Sequence, residues 1–270
     1  MNSTNKKPTN PPYKILAIDI DENLISVQLQ PDTPINLSAS AGLDLSITSE
    51  GILENIELLP GLVAAKIVAH RQLEWKAYFA KIERLNQRFK AIYPDSLIPL
   101  IQVNLLTNAT YTGREFLDGV FNPLFSPIDL TEDPATPPFI DESRYYNRQR
   151  QIEILLPELG DSLSACFERG EAKAFTLEYI HEELRKKGLT INKKDITLVD
   201  DSGANIVFTL QHGFNTVYNP TNPNCRPDGF FYTQFRASVF DNLNNIIDDA
   251  ENYLEMIEIT HQFERVMAFE

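Results

Sequence analysis

Lys14-Ile15-Leu16-Ala17-Ile18-Asp19-Ile20-Asp21 is an apolar run that ends in two acids one residue apart. A short continuous run of this kind suits a strand of a parallel sheet, buried on both faces and presenting polar side chains at its carboxyl end. Three later runs share the character: Ile101 to Thr107, Ile196 to Asp201, and Asn215 to Tyr218. Helical patterns separate them, so the expected fold class is α/β with a doubly wound, Rossmann-like parallel sheet. Ligands of such sheets bind outside the carboxyl ends of the strands, where Asp19, Asp21, Thr107, Asp200 and Asp201 fall.

After Asp21 the pattern changes to period two. Ile25, Val27 and Leu29 alternate with polar residues, and so do Leu43, Leu45 and Ile47, which predicts a β-hairpin flap inserted at about 24–58. Pro60-Gly61 is expected to open a long helix carrying Trp75, Tyr78, Phe79, Ile82, Leu85, Phe89 and Ile92 at helical spacing, stopped by Pro94. Residues 111–170 read as a small cap or loop, with short helices over Arg114 to Phe121 and Arg148 to Arg169 around a Pro-rich stretch. Phe175 to Lys187 is an amphipathic helix closed by Gly188. The resulting division is a flexible tail over 1–12, a core over 13–238 with its two insertions, and an acidic helical extension over 239–270.

Composition narrows the function classes. A chain of 270 residues that is 43% hydrophobic can bury one sizeable core. A formal charge of −14 argues against general nucleic-acid binding, which needs clustered Lys and Arg. No run reaches the roughly 18 apolar residues of a membrane span, the N-terminus has no apolar signal region, and the isolated Cys166 and Cys225 suit a reducing compartment. A cytoplasmic location is the expectation. The extension carries eight acids against Arg265, half of the net charge, and is a candidate surface for a protein partner.

The chemistry follows from the residue types. Side chains two apart on an extended backbone project to one side, so Asp19 can attack phosphorus while Asp21 moves protons. Asp200 and Asp201 crowd the same sheet edge, and crowded carboxylates call for a cation. Mg²⁺, which prefers hard oxygens and bridges to phosphate, is the natural one, with Asn205 able to add an oxygen or to orient a metal-bound water. Thr107 and Asn108 can hold phosphoryl oxygens. Lys173, at a helix start where its charge opposes the dipole, can neutralise the phosphoryl group and Asp19. Taken singly, each group has an ordinary explanation as a strand end, a turn, a helix cap or a solvated lysine.

In order, Asp19-Ile20-Asp21, Thr107, Lys173 and Asp200-Asp201-Ser202-Gly203-Ala204-Asn205 resemble the four motifs of the haloacid dehalogenase-like superfamily. The resemblance spans the core, roughly Tyr13 to Asn219 without its insertions. It implies a phosphatase-type member with Asp19 as nucleophile, Asp21 as general acid/base, and Thr107 and Lys173 on the phosphoryl group. It further implies Mg²⁺ held by Asp19, the Asp21 backbone carbonyl, and Asp200 or Asp201. Glu22-Asn23 departs from the family's usual Gly-Thr or Gly-Val, and Asn205 stands where an aspartate is frequent. The expected function is a Mg²⁺-dependent phosphatase acting on a phosphorylated small molecule or macromolecule through an aspartyl-phosphate. A phosphotransferase with another acceptor, and an interaction protein of this fold with weakened turnover, are the alternatives.

Overall fold

The computed structural model describes residues 11–29, 46–47, 53–54, 65–109, 111–128, 137–220 and 230–267. The first strand, β1 (Lys14–Asp19), is followed by a single turn in which the Ile20 carbonyl accepts from the N–H groups of Asn23, Leu24 and Ile25. Glu22 sits in this turn at φ 57°, a left-handed conformation that few non-glycine residues adopt. The chain then runs through β2 (Ile25–Leu29), the short β3 (Ser46–Ile47) and β4 (Leu53–Glu54), and β5 (Ala65–Ala69).

Two expectations change here. The antiparallel partner of β2 is β5, while among the described residues β3 pairs with β4. The helix expected to open at Pro60-Gly61 instead begins at Gln72, since Ala65–Ala69 is extended; α1 spans Gln72–Ile92. Five residues are too few to separate a strand from the start of a helix by periodicity, and a partner 40 residues upstream selects the strand. The expected tail lies outside the described residues apart from Pro11 and Pro12, as do Cys225 and most of the predicted 24–58 hairpin.

The central sheet forms from β6 (Ile101–Leu106), β7 (Tyr145–Tyr146), β8 (Ile196–Asp200) and β9 (Asn215–Tyr218) around β1, in the order β7-β6-β1-β8-β9, with every pairing parallel. Every residue of β6 and β8 is buried, and so is every residue of β1 after Lys14, as a sheet covered on both faces requires. Residues 111–170 are more than a cap, because they supply the edge strand β7 alongside Leu105 and Leu106. Around β7 this stretch holds α2 (Gly113–Phe116), running through a π-type turn into α3 (Asn122–Phe125), then α4 (Arg148–Leu159) and α5 (Leu163–Arg169).

The remaining helices are α6 (Ala172–Lys186), α7 (Gly203–Gln211) and α8 (Phe230–Met267). The last begins earlier than the expected Val239. One layer joins α1 to α3 and α8, and the other joins α6 to α4, α5 and α7. From β1 the chain moves to β6 through α1, then returns across β1 to β8 through α6. Right-handed crossovers in opposite directions place their helices on opposite faces. The crevice between the ends of β1 and β8 is therefore the switch point of the sheet. Along α8, Val239, Leu243, Ala250, Leu254 and Ile257 are buried, and the acidic Glu251 and Glu258 meet Arg88 of α1. No helix among the described residues is long and apolar enough to cross a membrane.

Candidate active site

Asp19, the last residue of β1, and Asp200, the last of β8, flank the switch point and are 4% and 0% exposed. Between them stands Lys173. On α6 the buried positions Lys173, Thr176, Leu177, Ile180 and Leu184 recur at helical spacing, so the apolar stripe that docks α6 on the sheet carries Lys173 inward with it. Its ammonium lies 2.5 Å from Asp19 Oδ1 and 2.8 Å from Asp200 Oδ2, and it is 2% exposed. Burial opposes its charge, but the two carboxylates outweigh burial and hold its pKa above the usual lysine range.

Carboxylates outnumber this cation. Oxygens of Asp19, Asp200 and Asp201 lie within 4.8 Å of one another. Burial pushes the Asp19 carboxyl well above its ordinary value; Lys173 opposes the shift, and Asp200 and Asp21 reinforce it. Asp201 is pushed up to about 6, by burial first and then by Asp200. A cluster that resists full ionisation in this way is an electrostatic opening for a cation.

Asp200 is already saturated with donors. Its Oδ1 accepts from the Ser202 N–H at 2.8 Å and from Asn205 Nδ2 at 2.9 Å, and its Oδ2 accepts from Lys173 and, at 3.0 Å, from Asn205 Nδ2. It is the NH₂ of Asn205, not the expected oxygen, that meets this carboxylate. An amide facing a carboxylate must present its NH₂, so Asn205 orients Asp200 and does not turn its oxygen toward the cluster. Gly170, at φ 83°, closes over that oxygen.

Asp21 stands beside this cluster, held from the other flank. Thr107 Oγ1 donates to Asp21 Oδ2, and Tyr111 Oη donates to Oδ1 at 3.2 Å. Burial above all, then the nearby Asp21 and Glu22 carboxylates, pushes the Tyr111 phenol far above its ordinary pKa, so it remains a donor. Thr107 is fully buried and accepts from the Ala109 N–H at 2.9 Å, while Asn108 is half-buried with its side-chain oxygen unpartnered among the described residues. Asp19, Asp21, Thr107, Lys173, Asp200, Asp201 and Asn205 thus converge on one crevice.

Several supporting residues escaped the sequence reading. Asn23, fully buried, donates to the carbonyls of Asp19 at 2.9 Å and Val199 at 3.2 Å, tying together the ends of β1 and β8; Asn219 donates to it in turn. The departure from the family's Gly-Thr or Gly-Val was the visible signal for Asn23. Gln151, also fully buried, donates to the Thr107 carbonyl at 2.7 Å and accepts from Thr176 one turn beyond Lys173. Nothing local in the sequence marks Gln151 or Tyr111. Scans against protein-family models and against curated proteins find no match for this chain.

Proposed function

We propose that the protein is a Mg²⁺-dependent phosphatase of the haloacid dehalogenase-like type, working through an aspartyl-phosphate on Asp19. One observation carries the reading: a fully enclosed lysine bridges the carboxylates that end the two strands of the switch point, with a third carboxylate alongside. An arrangement this costly to bury has a natural use where a phosphoryl group must meet both a nucleophile and a cation.

In this reading an Asp19 oxygen attacks phosphorus and the bond to the leaving oxygen breaks, with Asp21 giving that oxygen its proton. Water then attacks the aspartyl-phosphate, Asp21 takes back a proton, and the bond from phosphorus to Asp19 breaks to release phosphate. Lys173 neutralises charge on Asp19 and on the incoming phosphoryl oxygens, which Thr107 and Asn108 also contact. The donor set suits Mg²⁺, since it is all hard oxygen and carries excess negative charge. With Asp200 engaged by three donors, Asp19, Asp201 and the Asp21 carbonyl would hold the ion, which when bound would supply charge neutralisation at the phosphoryl group. The β2–β5 pair would then serve as a flap, and the segments on either side of β7, 111–128 and 148–169, as a small cap.

Phosphate release from p-nitrophenyl phosphate tests the proposal. Turnover should require Mg²⁺ and vanish in Asp19→Asn. Activity that survives EDTA, or an active Asp19→Asn protein, would overturn it.

A further inference from the structure

Asp21 is gripped from two sides, and the second grip belongs to no motif. We propose that Tyr111 is a positioning residue for the acid/base carboxylate, holding Asp21 where its proton reaches the leaving-group oxygen. This rests on the phosphatase reading above and adds a role to the same site.

Tyr111 is itself built into place. Its backbone carbonyl accepts from Tyr145 Oη at 3.2 Å and from Asn147 Nδ2 at 2.8 Å. Asn147 is fixed in turn as the N-cap of α4, accepting from the Arg150 N–H at 2.9 Å. The Tyr111 ring stacks on Phe116, with centroids 6.2 Å apart and planes 16° from parallel, and Phe116 stacks on Tyr145 of the edge strand. A strand, a helix start and an aromatic stack therefore fix the direction of one hydroxyl, the support that a functional group needs to be held in register.

The chemistry follows from which oxygen each donor takes. With Thr107 on Oδ2 and Tyr111 on Oδ1, the carboxyl plane cannot rotate about its bond to Cβ. The 3.2 Å separation in the resting site is long for an O–H···O bond, and it can shorten as negative charge develops on Asp21. The benefit scales with how far the leaving group depends on protonation. It is small for a nitrophenolate, which departs as an anion, and large for a basic phenolate.

The test is a series of substituted phenyl phosphates of increasing leaving-group basicity, assayed with Mg²⁺ for wild type and Tyr111→Phe. The variant should lose about tenfold in kcat/KM on phenyl phosphate, the range expected for one hydrogen bond to a charged group, and less than about twofold on p-nitrophenyl phosphate. In an Asp21→Asn background the same substitution should change neither value, because the hydroxyl acts through Asp21. A uniform loss across the series, no loss, or an equal loss in the Asp21→Asn background would overturn the proposal while leaving the phosphatase reading intact. A wild-type protein that releases phosphate from no member of the series overturns both. Should Tyr111→Phe fail to fold, Phe116→Leu loosens the same hydroxyl without removing it and should steepen the leaving-group dependence by a smaller factor.

Discussion

Lys173 Nζ lies 2.5 Å from Asp19 Oδ1, an ion pair between the second residue of α6 and the last of β1 with almost no access to solvent. A buried pair contributes little net stability when intact, yet removing one partner strands the other charge. Lys173→Met leaves Asp19 and Asp200 without their shared cation, and should destabilise the metal-free protein by about 3–5 kcal/mol in urea unfolding. Asp19→Asn leaves Lys173 its contact with Asp200 and should cost less. Equal stability of the Lys173→Met and wild-type proteins would mean that the pair is open to water.

The metal-free site predicts a pH dependence of known sign. Asp201 titrates near 6 in the folded chain against an ordinary 3.8, so folding strengthens its hold on a proton. The corresponding stability is complete below about pH 4 and is lost as pH rises through about 6; Asp19, shifted in the same direction, adds to it. In EDTA the melting temperature should therefore fall from about pH 5 to pH 7. Saturating Mg²⁺ should reverse the slope, since a cation requires these carboxylates ionised. Parallel melting curves with and without Mg²⁺ would count against a metal at this cluster.

Gly170 separates backbone strain from damage to the site. A Cβ here would stand 2.7 Å from Asn205 Oδ1 and 3.1 Å from Ala204 Cβ, at φ 83°. Gly170→Ala should cost about 1–2 kcal/mol for the left-handed backbone and, by shifting Asn205 off Asp200, also lower kcat/KM. Gly188→Ala, at φ 80° in the helix-end turn after α6 with nothing within 4 Å of its Cβ, should carry the first cost without the second. Unchanged activity in a folded Gly170→Ala protein would show that Asn205 has no part in orienting Asp200.

Asn23 is the clamp between the ends of β1 and β8. Asn23→Ala removes donors from the carbonyls of Asp19 and Val199 and leaves the Asn219 amide without its acceptor. A loss of about 2–3 kcal/mol is expected, the scale of buried polar groups left unpaired, together with reduced turnover. Chemical denaturation alongside the p-nitrophenyl phosphate assay measures both, and a neutral substitution would rule the clamp out.

On α8, packing should outweigh charge. Leu254→Ala, at a fully buried position, should cost about 2–5 kcal/mol. Glu258→Gln breaks a partly exposed pair with Arg88 and should cost under about 1 kcal/mol. Comparable losses from the two would reverse this ranking.

Legibility in the sequence tracked the range of the cause. The strands ending at Asp19, Leu106 and Asp200 were readable because a strand covered on both faces is mostly apolar along its length, a local property. The strand Ala65–Ala69 was not, because its identity depends on pairing with Ile25–Leu29 rather than on its own five residues. Asn205 was expected to turn an oxygen toward a cation or to orient a metal-bound water, and its NH₂ instead meets Asp200. Which end of an amide faces a carboxylate depends on what lies opposite, and Asp200 lies opposite only after β8 turns into α7.

The sequence by itself determined the α/β class, the order of the strand-ending acids, and the candidate groups Asp19, Asp21, Thr107, Lys173, Asp200 and Asp201. Each is written in a short window of periodicity and residue type. Tertiary structure alone decided that Lys173 is enclosed between Asp19 and Asp200, that Asn23 and Gln151 brace the crevice, and that Tyr111 reaches Asp21. The contacts of Lys173 with both acids, of Tyr111 with Asp21, of Gln151 with Thr107 and of Asn23 with Val199 join residues 27 to 176 positions apart, some across separate layers of the fold, and a pairing set by chain crossovers leaves no trace in the local pattern of either partner.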